Sequence, residues 1–575
     1  MDPHPNPPPL GEGAKGKYGL CPFAVYVNIA HEENGLITKN FLVEESSMNH
    51  RHGAKLSQWF SLLTLVIFLL CAMSAVDLPV LAKDHANRTA EQKTALFLES
   101  IRDQPGHLFA FLRQMPKGGD LHSHLSGAVY AESMISWAAE DGLCIDQKTF
   151  QAMSPPCDAL TGRPEVKQAF KDSVLYRTII DAWSMRNWQY SGQSGHDHFF
   201  DTFEKFDITT KKRRGNMLAE VVSRAAAGRV SYLELMVTPE GRSIGNLAVR
   251  TGWDNDFGSM RSKLLAQGMK DILVAVKNEM DQAETVMRQQ LKCGGEQSDP
   301  GCGVATRYLY QVLRGLPREV VFAQILAGFE LAAADPRFVG LNLVMPEDAN
   351  VPMADFPIQM LMLDYFHTVY PQVQLTLHGG ELAPGLVPPE GLRFHVGDSV
   401  RKAHAMRIGH GVDIMYEDGC FDLLREMARR DILVEILLTS NDVILGVKGK
   451  EHPLKTYIRY GVPVALATDD EGVSRSEMTR EYQRAVMDQE LGYLQLKRMA
   501  RNSLAYAFIE GASLWKDRKY TQTVAACAKD KPTANRISGS CSQFLAENGK
   551  ARLQWDFEKD IADFEAQASK WDANH

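Results

Sequence analysis

The chain has 575 residues, which is enough for one large domain with appendages or for several smaller domains. Hydrophobic residues make up 45% of it and charged residues 23%, the composition of an ordinary globular protein. A formal net charge of −8 gives no reason to expect binding to nucleic acid or to an anionic membrane, and it excludes neither a neutral nor a cationic small ligand.

The first 82 residues are expected to be an N-terminal extension that ends in a signal peptide. After a proline-rich start, Met48 is followed by basic residues and then by an uncharged apolar run at positions 60–72. This order is typical of a secretory signal. A membrane anchor is the alternative, although a span requires about 20 apolar residues. We expect Met48 to be the true start, so that residues 1–47 are upstream sequence or a poorly ordered extension.

Cysteine usage points to an oxidising compartment. Nine cysteines are present, and Cys21 and Cys71 fall in the segment that export would remove. Six of the others form local pairs in loop-like stretches, namely Cys144 with Cys157, Cys293 with Cys302 and Cys527 with Cys541. We expect these pairs to be disulfides of a secreted or periplasmic protein, with unpaired thiols as the alternative. The remaining Cys420 is expected to be a buried small apolar residue.

Residues 83–112 are predicted to form an N-terminal helical segment. Apolar residues recur at helical spacing over 91–103, and Pro105-Gly106 should break that helix. A second, short helix should then cover residues 107–112.

Residues 113–515 alternate apolar, β-branched runs with longer helical segments. The candidate strands are, in order, a run that ends at Leu121 and His122 and then runs at 230–237, 272–276, 339–344, 373–377, 407–409, 432–438 and 462–467. Such a succession predicts an α/β fold, a (β/α)8 TIM barrel. Two long insertions should interrupt it, one around the aromatic-rich residues 183–206 and one at 281–303. A C-terminal helical extension, 516–575, should follow, with a helix near 551–569.

Residues that can bind a metal follow several of these strands. His122 and His124 are two positions apart, so on a strand their side chains share one face. His378 ends the fifth strand and Asp469 the eighth, and barrel enzymes carry their chemistry at these carboxyl ends. Three histidines and one aspartate leave an open position for water, which a catalytic metal needs. Zinc is the expected metal, one per chain, and iron, cobalt or manganese would suit the same ligands.

Three further residues near these strand ends suit acid–base chemistry. Glu381 could protonate a ring nitrogen of a substrate if its pKa is raised. His410 could hold or deprotonate a metal-bound water, and Asp470 should point towards a polar edge of the substrate. Alone, each residue would more often be a satisfied core histidine or a surface carboxylate. Together with the four ligands they predict a mononuclear metal hydrolase.

Six motifs resemble those of the adenosine/AMP deaminase superfamily. They are Met115–Ala128, His378–Glu381, Arg407–Gly411, Ser440–Asn441, His452–Leu454 and Ala467–Asp470, and their order and spacing match the family over about residues 115–511. The expected export and disulfides, together with residues 346–348, favour the secreted branch of adenosine deaminase-related growth factors.

The resemblance implies a site that deaminates a purine. By this resemblance, the four ligands named above bind zinc, and activated water attacks C6 of the base. Glu381 gives a proton to N1, His410 positions the attacking group and shares its proton, and Asp470 hydrogen-bonds N7. The expected catalytic residues are therefore Glu381, His410 and Asp469.

Ser126 and Met345 depart from the family pattern where the substrate is expected to bind. Ser126 stands where the family often has an aspartate that contacts the 5′ end of the ribose. Met345 stands where the family usually has a glycine against the purine N3. Both differences leave open a modified or 5′-substituted adenosine as the substrate.

The expected function is zinc-dependent hydrolysis of adenosine, or of a related adenine nucleoside, to inosine and ammonia in the periplasm or outside the cell. Alternatives on the same site are 5′-methylthioadenosine, adenine or another heterocyclic amine. A catalytically silent secreted binding protein is a third hypothesis, against which the complete residue set argues. A small purine nucleoside is the expected partner, with a homodimer left open. Neither nucleic acid nor a stable membrane span after signal cleavage is expected.

Overall fold

The computed structural model describes residues 88–534 and 536–571. The expected N-terminal extension with its signal sequence, Cys21 and Cys71 lies outside the described residues, as do residues 83–87 of the expected helical segment. Over the two described ranges, no helix combines the length and the apolar character that crossing a membrane requires.

Eight parallel strands lie at the centre of the described part of the chain. They are β1 Gly118–His124, β2 Val230–Val237, β3 Ala305–Leu313, β4 Phe338–Val344, β5 Gln374–Gly379, β6 Arg407–His410, β7 Leu433–Ile436 and β8 Val464–Leu466. Each strand pairs in parallel with the next one along the chain. Helices connect the strands and cover the outside of the sheet. The predicted (β/α)8 TIM barrel is confirmed.

The barrel closes between β8 and β1 at the residues predicted to bind metal. Ser123 forms a parallel bridge with Asp469. The backbone N–H of Asp469 donates to the carbonyl oxygen of His122 at 2.9 Å. The backbone N–H of His124 donates to the carbonyl oxygen of Asp469 at 3.2 Å. The seam of the barrel therefore fixes three of the four predicted ligands relative to one another through their backbones.

Most of the remaining regular structure in the described chain is helical, apart from a short antiparallel strand pair, Cys144–Ile145 with Ala152–Met153. Before β3 the helices are α1 Ala90–Ser100, α2 Pro105–Gln114, α3 Ala131–Glu140, α4 Ser173–Ala182, α5 Gly195–Thr210, α6 Arg214–Ala227, α7 Gly241–Thr251, α8 Phe257–Leu264 and α9 Lys270–Gln290. After β3 they are α10 Arg318–Ala334, α11 Asn350–Val369, α12 His395–Arg401, α13 Cys420–Arg430, α14 Leu438–Leu445, α15 Leu454–Tyr460, α16 Met478–Met487, α17 Tyr493–Ala505, α18 Gly539–Glu547 and α19 Gly549–Ala568.

The predicted third strand at residues 272–276 is wrong. These residues lie in α9, whose buried residues Val276, Met280 and Ala283 are spaced by four and then three positions and so share one face of a helix. The true third strand, β3, contains threonine, arginine and glutamine side chains, which concealed its strand character. The expected insertion at 281–303 is accordingly the end of α9 and the loop that follows it.

Other boundaries differ by a few residues. Pro105 opens α2 at the first helical position, where a missing N–H costs nothing, so it starts one helix as well as separating two. Leu438 begins α14 and does not end the seventh strand, which stops at Ile436. The helix expected near 551–569 is α19, and α18 precedes it.

The three predicted disulfides are confirmed. Cys144–Cys157, Cys293–Cys302 and Cys527–Cys541 are bonded over sequence separations of 13, 9 and 14 residues. Cys420 is unpaired, but it is partly exposed and not buried as expected, because it lies at the start of α13 near the surface.

Candidate active site

Four side chains meet where the barrel closes. His122 and His124 come from β1, His378 from β5 and Asp469 from the residues just after β8. One potential ligand atom of each lies within 4.8 Å of the others, and all four residues are buried. The structure therefore brings together the four ligands that the sequence predicted.

In this cluster, the Nε2 atoms of His122 and His378 point their lone pairs at each other. Nδ1 of His122 lies 2.7 Å from a carboxylate oxygen of Glu435, and Nδ1 of His378 lies 3.0 Å from Oδ1 of Asn342. Both oxygens accept hydrogen bonds, so in the neutral rings each Nδ1 carries the proton and each Nε2 presents a lone pair. The two Nε2 atoms are 3.2 Å apart. Lone pairs at this distance repel each other unless a cation lies between them.

His124 and Asp469 also face each other with acceptor atoms when the ring of His124 is neutral. Nδ1 of His124 lies 2.8 Å from Oε1 of Gln311, and its Nε2 lies 3.2 Å from Oδ1 of Asp469. Zinc binds nitrogen and oxygen at about 2.0–2.2 Å, which puts tetrahedral ligand atoms roughly 3.3–3.6 Å from one another. The donor types and their spacing therefore fit a divalent cation.

A proton and a cation compete for the His124–Asp469 pair. Burial lowers the pKa of His124, but the charges of Asp470 and Asp469 outweigh burial and raise that pKa to about 9. At His378, burial and then the neighbouring His122 hold the pKa well below its ordinary value. A proton thus satisfies one of the two facing pairs, whereas a divalent cation satisfies both.

Left-handed backbone marks two residues of the site. His410 has φ +68° and Asp469 has φ +61°, a region that costs a residue with a Cβ about 1–2 kcal/mol. Gly409, directly before His410, leaves room for the ring of His122, because a Cβ at position 409 would lie 2.5 Å from Cε1 of His122. Strain of this kind concentrates at functional sites, where the surrounding packing maintains it.

Charged residues fill the barrel beneath the cluster. Oε1 of Glu435 accepts from Nε of Arg407 at 2.6 Å, and Nη2 of Arg407 donates to Glu234 at 2.5 Å. The ring of Phe508 lies 3.7 Å from the guanidinium carbon. All three charged side chains are fully buried, so this network holds Glu435 in place and, through it, the ring of His122.

Glu381 lies in the loop after β5. Its backbone N–H donates to Oε2 of Glu347 at 2.6 Å, and Oε1 of Glu347 pairs with Arg314 at 2.9 Å. Arg314 also donates to the carbonyl oxygen of His378 at 3.2 Å, so one buried ion pair positions both Glu381 and a predicted metal ligand. Oε1 of Glu381 is buried without a hydrogen-bond partner among the described residues. Burial, reinforced by the charge of Asp469, raises the pKa of Glu381 well above its ordinary value.

His410 ends β6 with its ring near both Glu381 and Asp469. Its Nδ1 lies 3.6 Å from Oε1 of Glu381, and its Nε2 lies 3.9 Å from Oδ2 of Asp469. Nδ2 of Asn441 lies 2.9 Å from Nδ1 of His410, and Oδ1 of Asn441 lies 3.0 Å from Nε2 of His452. Burial lowers the pKa of His410 to about 4, so the ring is neutral at pH 7.

Asp470 faces the space above the cluster. Its Oδ1 is buried and has no hydrogen-bond partner among the described residues. Burial raises the pKa of Asp470 well above its ordinary value, and the charge of Asp469 adds to burial although His124 opposes it. A protonated Asp470 can donate a hydrogen bond to an acceptor on a ligand.

A cavity of about 640 Å³ opens above these residues. Its lining comprises His124, Ser126, Gln151, Phe199, Phe200, Phe203, Glu204, Asp207, Gln311, Leu313, Leu316, Val344, Met345, Pro346, His378, Glu381, Asp469 and Asp470. The three positions predicted from the sequence for substrate binding, Ser126, Met345 and Asp470, therefore all line the cavity of the candidate site. Its size is within the usual range for a small-molecule site, about 300–1,000 Å³.

Met345 shapes one wall of this cavity from a left-handed backbone. It has φ +94°, which favours glycine, and 38% of it is exposed. Its thioether lies against Gly315, where a Cβ would be 2.9 Å from the terminal methyl of Met345. The backbone shape of a glycine is thus retained while a long apolar side chain fills part of the wall.

Several residues of the site escaped prediction from the sequence. Glu435 and Arg407 hold His122, whereas Glu347 and Arg314 hold the loop of Glu381 and β5. A usable signal was present, because Glu435 and Glu234 are acids inside otherwise apolar strands. An acid in a buried strand needs a partner, and the partner indicates a network.

Comparisons with known proteins agree with this geometry. The family model described as adenosine deaminase matches residues 178–516. An adenosine deaminase from Salmonella paratyphi C is 34% identical over 391 residues, which cover 68% of this chain and 93% of that protein. An adenosine deaminase from Aliivibrio fischeri is 34% identical over 138 residues, 24% of this chain, so that the chain spans only 38% of that relative's length.

A solved structure is also similar. It is the N6-methyl-AMP deaminase from Arabidopsis thaliana, which is 20% identical with a TM-score of 0.44. The similarity covers 70% of this chain and 94% of that one.

Proposed function

This chain belongs to the adenosine deaminase family, and we propose that it hydrolyses adenosine, or a closely related adenine nucleoside, to inosine and ammonia. Membership in the family makes a metal-dependent hydrolytic deaminase the class of enzyme.

One observation carries the proposal. Nε2 of His122 faces Nε2 of His378 at 3.2 Å, and Nε2 of His124 faces Oδ1 of Asp469 at 3.2 Å. When no proton lies between His124 and Asp469, these are four buried acceptor atoms that point at one another. They form a site for a divalent cation at the mouth of the barrel, where barrel enzymes act.

Zinc is the metal that we propose for these residues. Three imidazole nitrogens and one carboxylate oxygen are typical zinc ligands, and they leave room for a water. When bound, the cation would lower the pKa of that water for attack on C6 of the adenine ring.

The protein's own residues supply the proton transfers and the orientation. Glu381 keeps its proton because burial raises its pKa, so it can protonate N1 and make C6 more electrophilic. Asp470, whose pKa is also raised, can donate to N7 and fix the orientation of the base. His410, held by Asn441, positions the attacking oxygen.

The cavity favours a nucleoside over a nucleotide. None of the described residues that line it is a lysine or an arginine, whereas Glu204 and Asp207 are acids. A 5′-phosphate would therefore meet like charge without a compensating cation.

An adenosine with an apolar 5′ substituent is the second candidate substrate. Ser126 is uncharged and lines the same cavity as Phe199, Phe200, Phe203 and Met345. A thioether or a deoxy group at the 5′ position would leave no buried acceptor unpaired there, so 5′-methylthioadenosine fits this wall.

We also propose that the protein acts in the periplasm or outside the cell. The three disulfides support an oxidising compartment, because cytosolic thiols are kept reduced. The signal peptide and the homodimer stay predictions from the sequence.

A panel of nucleosides tests the proposed function. Zinc-loaded protein should release ammonia from adenosine or 5′-methylthioadenosine and shift the ultraviolet absorption from adenine to hypoxanthine, with chelated protein as the control. AMP should react far more slowly. A silent binding protein would instead bind a nucleoside without releasing ammonia. Absence of ammonia from adenosine, 5′-methylthioadenosine and adenine at full metal occupancy would overturn the proposal.

A further inference from the structure

Two sequence motifs adjoin His410, and neither contributes a residue to the described lining of the cavity. They are Ser440-Asn441, in the first turn of α14, and His452-Pro453-Leu454, at the start of α15. Asn441 bonds the ring of His410, and His452 bonds Asn441 in turn. Asn441, His452 and His410 are all buried, so water does not compete for the hydrogen bonds among them.

Hydrogen bonds connect Leu454, His452, Asn441 and His410 in series. The series begins at a backbone N–H, which can only donate. The backbone N–H of Leu454 donates to Nδ1 of His452 at 3.2 Å. A backbone N–H only donates, so Nδ1 of His452 is an acceptor and carries no proton. Burial lowers the pKa of His452 to about 3, which keeps the ring neutral. Its single ring proton must therefore lie on Nε2.

That proton fixes the orientation of the next side chain. Nε2 of His452 donates to Oδ1 of Asn441 at 3.0 Å, which decides which end of the Asn441 amide is oxygen. The amide nitrogen Nδ2 then faces His410 and donates to its Nδ1 at 2.9 Å. Nδ1 of His410 is consequently an acceptor and carries no proton, so the ring proton lies on Nε2.

Nε2 of His410 is the end of the series. It is buried, has no hydrogen-bond partner among the described residues and lies 3.9 Å from Oδ2 of Asp469. We propose that His410 is a fixed hydrogen-bond donor towards the attacking oxygen and not a proton acceptor, and that Asn441 and His452 are positioning residues that hold it in this tautomer. This inference rests on the proposed function, because it assigns a role within that reaction.

The protons of the reaction then pass through Glu381. Glu381 gives its proton to N1, and its carboxylate takes the proton that the water loses as the C6–O bond forms. It passes this proton to the amino nitrogen as the C6–N bond breaks and ammonia leaves. The proton of the new hydroxyl returns to Glu381, so inosine and ammonia form without a net gain or loss of protons. Throughout, Nε2–H of His410 stabilises charge on the attacking oxygen.

The substitution Asn441→Asp distinguishes a hydrogen-bond donor from a base at His410. A carboxylate of the same shape still accepts from His452, but it can only accept at its second oxygen. Nδ1 of His410 must then carry the proton, and Nε2 becomes an acceptor. If His410 is a donor, kcat should fall by about two to four orders of magnitude, the scale for a lost oxyanion donor or a wrong tautomer. If His410 is instead a base, the new carboxylate would support it and kcat should hold or rise.

The control is another buried asparagine far from the cavity. Asn502 donates from its amide to the carbonyl oxygen of Val464 and accepts from the hydroxyl of Tyr520. Asn502→Asp places the same buried charge in the protein without touching His410. It should lose stability and keep kcat, whereas Asn441→Asp should keep its metal and its KM and lose kcat.

A spectroscopic measurement is independent of turnover. In wild-type protein with ¹⁵N-labelled histidine, Nε2 of His410 should show the shift of a protonated nitrogen, assigned by loss of the signal in His410→Gln. In Asn441→Asp the protonated nitrogen should be Nδ1. His452→Phe provides a second variant, which should allow both tautomers, while His452→Gln, which retains a donor, should restore the wild-type form.

Two outcomes would overturn the inference. One is an unprotonated Nε2 of His410 in the neutral wild-type ring, whatever the kinetics show. The other is an Asn441→Asp protein with undiminished kcat. An inactive wild-type protein with Nε2 protonated would count against the proposed function alone and would leave the tautomer assignment standing.

Discussion

Glu435 lies 2.7 Å from Nδ1 of His122, and both side chains are completely buried. Glu435 is not one of the four clustered ligand residues, so it acts on a metal only through His122. A carboxylate in this position fixes the tautomer of the imidazole, orients its ring and makes Nε2 a better ligand. Arg407 in turn holds Glu435, which extends the support of the metal site into the charged centre of the barrel.

Replacing Glu435 with glutamine should weaken metal binding. Glu435→Gln keeps the shape and one acceptor but removes the charge, and loss of such support costs about 10- to 100-fold in metal affinity. Competition against a chelator of known affinity measures the change. Glu490→Gln, which changes an exposed carboxylate that pairs with Lys455, is the matched control. Equal zinc affinity in Glu435→Gln and wild type would contradict this role.

Loss of the proposed acid, Glu381, should lower turnover without lowering metal content. Glu381→Gln retains the shape of Glu381 but cannot protonate a ring nitrogen. Metal content should remain at the wild-type level while kcat falls by about two to four orders of magnitude, the usual scale for a general acid. Measuring zinc by elemental analysis in the same sample as kcat makes the test clean. Near-normal turnover in a fully loaded Glu381→Gln protein would show that another group donates the proton.

The raised pKa of Glu381 predicts how turnover depends on pH. In the proposed reaction the protonated carboxyl is the active form, and burial beside Asp469 raises its pKa well above that of a free glutamate. Turnover should therefore stay high where a free glutamate, with a pKa of about 4.3, is already ionised, and should fall as pH rises through the raised value. The measurement is kcat against pH at constant zinc occupancy. A decline centred near the ordinary glutamate pKa would show that Glu381 is not the acid.

The barrel could be predicted from the sequence wherever a strand was apolar. Residues 230–237 coincide with β2, and the motifs at His378 and His410 mark the ends of β5 and β6. The third strand was missed because β3 is polar and the apolar run before it belongs to a helix. Periodicity over five residues cannot separate these cases, since a short apolar run suits either element.

The ligand cluster was predictable because each member lies near the carboxyl end of a strand, or just after it, in a recognisable motif. The residues that support it were not, because their roles depend on pairs distant in sequence. His122 with Glu435 and Glu381 with Glu347 become neighbours only when the barrel closes. The tautomer of His410 depends on a backbone N–H of Leu454, which no side-chain motif reveals.

Export should be visible in the mature protein. We expect the secreted chain to begin near Val76 or Lys83, positions outside the described residues, and to carry the three disulfides. Mass spectrometry of protein from the culture medium or periplasm, with and without reduction, tests both points. An uncleaved apolar run at 60–72, or six free thiols, would count against export as a soluble protein.

Ser126 and Met345 should set the preference among adenosines. Both line the cavity, and Ser126 offers a short, uncharged group where a family aspartate would be a charged acceptor for the 5′-hydroxyl. A buried charged acceptor rejects ligands that lack that hydroxyl, because it is left unpaired. Wild type should therefore tolerate 5′-methylthioadenosine, and Ser126→Asp should shift the ratio of kcat/KM towards adenosine by at least about tenfold. Ser136→Asp, on a helix outside the cavity lining, is the control. An unchanged ratio in Ser126→Asp would mean that this side chain does not face the 5′ end of the ribose.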